Sequence, residues 1–116
     1  MTDFIEITPQ QAWEMLQKDE NAVLADVRDQ VRFNYSHAQG AVNLTEHTWP
    51  DFEAEYDYDQ PILVSCYHGV SSRSVATFLL QRGYEKVYSV QGGFAAWVDA
   101  NLPLETAYQL NPTAMI

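Results

Sequence analysis

The sequence predicts an α/β fold, with a mostly parallel central sheet of about five strands and helices on both faces. Three observations carry that expectation. Short apolar runs alternate with helical patterns five times along the chain, the order that a layered, parallel sheet requires. The run Ala22-Val23-Leu24-Ala25 has no polar side, which suits a strand covered on both faces rather than one facing water. And 116 residues leave room for one hydrophobic core.

The elements follow in order. Phe4-Ile5-Glu6-Ile7 alternates like a short strand. Thr8-Pro9-Gln10-Gln11 then reads as a capping box with proline at the first helical position, opening a helix whose apolar face is Ala12, Trp13 and Leu16. Asp19-Glu20-Asn21 is a polar loop before the strand at 22–25. Asp29 caps a short helix carrying Phe33 and Tyr35, which Gly40 breaks, and Ala41-Val42-Asn43-Leu44 reads as another brief strand. Thr48 and Pro50 open a helix on which Trp49, Phe52 and Tyr56 recur at helical spacing. Pro61-Ile62-Leu63-Val64-Ser65 is an apolar strand, and Ser71 or Ser72 caps a helix with Val75, Ala76, Phe78, Leu79 and Leu80 on its apolar side, ended by Gly83. Lys86-Val87-Tyr88-Ser89-Val90 is the next strand. Gly92-Gly93 turns into a last short helix, Phe94 to Val98, whose Trp97 is read as core. The domain is drawn over 1–105, and 106–116 is read as a tail, frayed around Asn111-Pro112-Thr113-Ala114.

Composition bounds the function. Sixteen acidic against six basic residues give a net charge of -10, which makes nucleic acid and anionic membranes poor partners. The segment 46–59 carries six of those carboxylates and no Lys or Arg, read as a solvated face over an aromatic stripe, with a docking face for a basic partner as the alternative. One cysteine excludes a disulfide framework and multi-cysteine metal sites, and fits a reducing compartment. His37, His47 and His68 have no metal-ligand spacing, so no metal is expected. The first residues lack a basic, then apolar, leader pattern, and no apolar run approaches the roughly 20 residues of a membrane span, so the cytoplasm is expected.

The chemistry concentrates at Cys66. It stands at the carboxyl end of a predicted strand, at the mouth of a strand-loop-helix unit, where ligands of open α/β sheets bind. The following helix points its free amides and positive dipole end at the loop, which stabilises a thiolate and any anion held against it. His68 and Arg73 are the nearby sources of positive charge, and such surroundings define reactive cysteines. The thiol is therefore expected to titrate low. Asp26 and Arg28 read as a structural pair near the sheet's carboxyl edge, and His37 as a hydrogen-bonded structural residue rather than a base.

Four landmarks occur in order: Asp26-Val27-Arg28, His37-Ala38-Gln39-Gly40-Ala41-Val42-Asn43-Leu44, the loop Cys66-Tyr67-His68-Gly69-Val70-Ser71, and Gly92-Gly93-Phe94-Ala95-Ala96-Trp97. On these the chain resembles a single-domain rhodanese, a thiosulfate sulfurtransferase, most closely the short bacterial type. The resemblance implies a ping-pong transfer in which Cys66 takes the outer sulfur of thiosulfate, releases sulfite and holds a persulfide until an acceptor removes it. The acceptor would be cyanide in assays and a dithiol protein such as thioredoxin, or another thiol, in the cell. It implies no metal or organic cofactor. Substrate would be held by Tyr67, His68, Gly69, Val70, Ser71, Ser72 and Arg73. Many rhodaneses place a basic residue directly after the cysteine or at the end of the loop; Tyr67 and Ser71 occupy those places here, leaving Arg73 as either an anion-steering or a surface residue. Two other readings stay open: a non-catalytic binding or redox-sensing module, and a cysteine phosphatase, which would need Arg at position 72, where Ser72 stands.

Overall fold

The computed structural model describes residues 3–106. Five strands form one parallel sheet: β1 (Ile5–Ile7), β2 (Val23–Asp26), β4 (Val42–Asn43), β5 (Ile62–Ser65) and β6 (Val87–Val90), in the spatial order β1-β6-β5-β2-β4. All four pairings are parallel. Two further strands, β3 (Ser36–Ala38) and β7 (Leu104–Thr106), make a separate antiparallel pair. The helices are α1 (Pro9–Lys18), α2 (Gln30–Tyr35), α3 (Trp49–Glu55), α4 (Ser71–Arg82) and α5 (Gly93–Asp99).

The strand composition explains the layers. Successive side chains of a strand point to opposite faces, and β2 and β5 are buried at all four of their positions. Val23, Ala25, Ile62 and Val64 enter one core with Phe52 of α3 and Ala76 and Leu79 of α4. Leu24 and Leu63, their neighbours in sequence, enter a second core with Ala12 of α1 and Trp97 of α5. A strand sandwiched in this way has no polar side to show.

Local chemistry sets the helix ends. The capping box of α1 is complete: the Gln11 amide donates to Thr8 Oγ1 (3.1 Å) and the Thr8 amide to Gln11 Oε1 (2.9 Å). Asp29 caps α2 by accepting from the Arg32 amide at 2.8 Å. The expected serine cap of α4 is not present. Val70 holds the N-cap position, with no side-chain cap, and Ser71 is already helical. The acceptor for this helix end is the sulfur of Cys66, described below.

The β3–β7 pair was not legible in the sequence. It joins residues 36–38 to 104–106, with the Gly40 amide donating to Glu105 Oε1 at 2.8 Å. The paired backbone thus runs one residue past the boundary drawn at 105, while the stretch from Asn111 to Ala114 lies outside the described residues. Glu53, in the acidic segment, is paired with Arg82, and its other carboxylates are exposed. No helix among the described residues is long and apolar enough to cross a membrane.

Candidate active site at the carboxyl ends of β2 and β5

Because β2 and β5 are neighbours and parallel, with Asp26 opposite Ser65, the segments that leave them face each other. One carries Val27, Arg28 and Asp29; the other carries Cys66, Tyr67 and His68. Between them lies a cavity of about 520 Å³, completed by Arg32 of α2 and Ser71 of α4.

Cys66 is buried, 3% exposed, and the Gly69 amide donates to its Sγ at 3.0 Å. Burial pushes the thiol up, but the hydroxyls of Ser72 and Ser71 and the amides of Ser72 and Gly69 outweigh it and hold the thiol at about 7, below its ordinary 9.0. The direction is the expected one, and the loop and helix amides contribute as expected; the serine hydroxyls are the addition, and neither His68 nor Arg73 is among the donors. The amides that leave α4 without a side-chain cap find their acceptor in the sulfur.

The loop is held from behind by glycines. Gly69 has φ +88°, and a Cβ there would lie 2.6 Å from the Gly92 nitrogen. At Gly93 a Cβ would lie 2.3 Å from the Cys66 carbonyl oxygen and 2.8 Å from that of Tyr67. That close approach lets the amides of Phe94 and Ala95 donate to those two carbonyls, at 2.7 and 3.0 Å. The sequence reading took Gly92-Gly93 as a turn into a helix, which it is, but missed this bracing role. The signal was the glycine pair itself, where one glycine would make the turn.

The cationic side of the cavity comes from Arg28 and Arg32. Arg28 forms the expected pair with Asp26: Nε lies 3.1 Å from both carboxylate oxygens and Nη2 2.8 Å from Oδ2, with both side chains buried. Nη2 also donates to the Ser36 carbonyl at 2.7 Å, and the guanidinium lies 4.0 Å from the centroid of the Phe94 ring. It is thus fixed rigidly while still lining the cavity. Arg32 is exposed and pairs with Asp29. Sequence reasoning missed Arg32; its i, i+3 spacing to the cap residue Asp29 and its single turn from Arg28 were the available signals.

The other predicted site residues divide. Tyr67, His68 and Ser71 line the cavity. Gly69 contributes its amide, and Ser72, fully buried, contributes hydroxyl and amide. Val70 is 69% exposed on the loop's outer side. Arg73 does not line the cavity; its Nε pairs with Glu6 Oε2 of β1 at 3.3 Å, because one helical step past Ser72 turns the side chain toward the sheet's other edge. His37 is structural, stacked on Phe33 at 3.9 Å with Nδ1 2.7 Å from the Phe33 carbonyl oxygen. Trp97 is core, 2% exposed, and donates to the Pro103 carbonyl at 2.8 Å. No cluster of His, Cys, Asp and Glu among the described residues is arranged to hold a metal.

Comparison with known proteins agrees with this architecture. The model of the Rhodanese-like domain matches residues 8–100. A protein of Glaesserella parasuis named thiosulfate sulfurtransferase GlpE is 60% identical over 105 residues, which cover 90% of this chain and 96% of the relative. A Haemophilus influenzae (strain Rd) protein of the same name is 57% identical over 105 residues, 90% and 98% of the two chains. Among solved structures, the Alr3790 protein from Anabaena superposes with a TM-score of 0.79 at 22% identity, over 94% of this chain and 87% of that one. The polysulfide-sulfur transferase of Wolinella succinogenes does so at 0.75 and 21%, over 89% and 79%. At such identities these two speak for the fold. With the family model spanning most of the described chain and curated relatives matched nearly end to end, the chain belongs to the rhodanese-like family, as a single-domain member of the GlpE type.

Proposed function

We propose that this protein is a thiosulfate sulfurtransferase that works through a persulfide on Cys66, in the cytoplasm. One observation carries the proposal: a buried cysteine sulfur, held near neutral pKa by hydroxyl and amide donors, opens into a cavity also lined by Arg28 and by the Arg32–Asp29 pair. The names of the curated relatives support the reaction class and the donor.

In the first half-reaction the Cys66 thiolate attacks the outer sulfur of thiosulfate. A new sulfur-sulfur bond forms, the bond to the sulfonate sulfur breaks, and sulfite leaves with the electron pair. Charge balances, since three negative charges enter and three remain, one on the persulfide and two on sulfite. Arg28 and Arg32 offset the approach of a dianion to an acidic protein and stabilise the sulfite that forms. The amides and hydroxyls around Sγ serve the persulfide as they serve the thiolate.

In the second half-reaction an acceptor removes the outer sulfur. Cyanide leaves as thiocyanate and restores the thiolate. A dithiol protein such as thioredoxin would take the sulfur on one thiol, form its own disulfide with the other, and release hydrosulfide. No step needs a strong base, because the nucleophile is already ionised, and no step needs a metal or organic cofactor.

The phosphatase reading loses its support. It needs a guanidinium from position 72, whereas Ser72 is buried against Ser89 and Arg73 points to Glu6. The test is thiocyanate formation from thiosulfate and cyanide by the protein and by Cys66→Ser. We expect turnover by the first and none above background by the second, with the same circular dichroism. Turnover by Cys66→Ser near the wild-type rate would overturn the assignment of the nucleophile.

A further inference from the structure

Phe94 touches both walls of the active cavity. Its amide donates to the Cys66 carbonyl at 2.7 Å, and its ring centroid lies 4.0 Å from the guanidinium carbon of Arg28, on the segment that follows β2. One residue of α5 thus ties that guanidinium to the strand end that carries the sulfur.

The N–H groups of Arg28 have nearly all found acceptors. Nε donates to both carboxylate oxygens of Asp26 at 3.1 Å, and Nη2 donates to Asp26 Oδ2 at 2.8 Å and to the Ser36 carbonyl at 2.7 Å. Nη1 alone has no partner among the described residues. Arg28 is only 8% exposed, yet no buried side-chain nitrogen or oxygen among those residues lacks a partner, so Nη1 belongs to the small part of the side chain that is open. The opening that Arg28 lines is the Cys66 cavity. Asp26 cancels the charge of Arg28 at a distance, so what remains for a ligand is a short-range, directional pair of protons on one nitrogen.

We propose that Phe94 is a positioning residue which, with Asp26 and Ser36, aims Arg28 Nη1 as the hydrogen-bond donor to a sulfonate oxygen of the sulfur donor, and to the sulfite it becomes. The bonds to Asp26 and Ser36 hold the guanidinium by its edge and leave its plane free to tilt about that edge. The Phe94 ring closes one face and stops the tilt. Because the amides of Phe94 and Ala95 also hold the carbonyls of Cys66 and Tyr67, Nη1 and Sγ keep a fixed separation. The groups around Sγ recognise sulfur, and Nη1 recognises oxygen, which makes the site selective for donors that carry an oxyanion.

The inference rests on thiosulfate being the donor, and the experiment separates the two. Cys66→Ser, which cannot turn over, is titrated with sodium thiosulfate by heteronuclear NMR, alone and combined with Phe94→Leu or Phe94→Tyr. The same Phe94 variants of the active protein are loaded from thiosulfate and from inorganic polysulfide, an anionic donor without oxygen. Phe94→Leu keeps the amide and an apolar side chain but removes the ring face; it should weaken thiosulfate binding and lower kcat/KM for thiosulfate by about threefold to tenfold, with polysulfide loading changed less than about twofold. Phe94→Tyr keeps the ring and should restore the use of thiosulfate. The Arg28 side-chain resonances of Cys66→Ser should move on titration.

Equal losses with both donors would mark a displaced loop and overturn the proposal. So would unaltered thiosulfate binding in Phe94→Leu, or Arg28 resonances that stay in place at saturation; the latter decides the matter even if Phe94→Leu does not fold. Thiosulfate bound through Arg28 without sulfur transfer in wild type would uphold this inference and count against the proposed function alone.

Discussion

At the residue scale, reactivity depends on a contest at one sulfur. Burial disfavours the Cys66 thiolate, and donors from Ser72, Ser71 and Gly69 win by enough to bring the thiol to about 7. In the proposed mechanism the attacking species is the anion, so the rate of the thiosulfate half-reaction should be level above that pH and fall about tenfold per unit below it. A single-turnover pH profile checks this; a midpoint at or above the ~8.5 of free cysteine would contradict it. Arg32→Ala should raise KM for thiosulfate by roughly threefold to tenfold, since it removes a cation from the cavity wall, while transfer from the persulfide to a neutral thiol changes little. Arg73→Ala should leave KM within about twofold, because its guanidinium faces Glu6. Steady-state kinetics with the two variants side by side decide which arginine serves the donor. The sequence showed Arg73 close to Cys66 along the chain but concealed Arg32, which is near only because two parallel strands deliver their following segments to one place.

At the scale of elements, the Cys66 loop is positioned by what stands behind it. Gly93 has φ +58°, where an L side chain costs about 1 to 3 kcal/mol, and its missing Cβ is the space occupied by the Cys66 and Tyr67 carbonyls. Gly93→Ala should therefore cut turnover at least about tenfold through a displaced loop and lower stability by the ~1 to 3 kcal/mol of strain. Thermal melting beside kinetics separates the two. The segment after β2 depends on the Asp26–Arg28 pair, closed by the Asn43 carboxamide, which donates to the carbonyls of Asp26 and Arg28 at 2.9 and 2.8 Å. Asp26→Asn would leave a buried guanidinium uncompensated and should cost on the order of 3 kcal/mol in urea unfolding. Local signals found these elements well: the Thr8 to Gln11 capping box and the Asp29 cap stand where their spacing puts them. The serine cap of α4 failed for a physical reason, because the sulfur takes over as acceptor and lets the serines face it instead. The β3–β7 pair was hidden since its strands are three residues long and 70 positions apart from Ser36 to Thr106, so neither alternation nor a turn announces them.

At the scale of the whole molecule, the alternation of strands and helices and the unbroken apolar runs were enough to give the parallel sheet and its two cores, because burial on both faces leaves a plain mark on composition. The active cavity was half legible: the loop was read from its residues, whereas its opposite wall depends on strand order, which a linear pattern does not contain. Net charge acts over the same scale. A chain of charge -10 repels a dianion, so kcat/KM for thiosulfate should rise as ionic strength goes from about 0.01 to 0.15 M and the screening length falls from ~30 to ~8 Å, while a neutral acceptor shows no such trend. The central claim, however, is that Cys66 carries sulfur between donor and acceptor. Its most direct test is intact-protein and peptide mass spectrometry after brief incubation with thiosulfate and removal of excess donor. The account predicts a gain of one sulfur atom on the peptide containing Cys66, lost on addition of cyanide with one equivalent of thiocyanate released. An unmodified Cys66 under conditions of active turnover would contradict it.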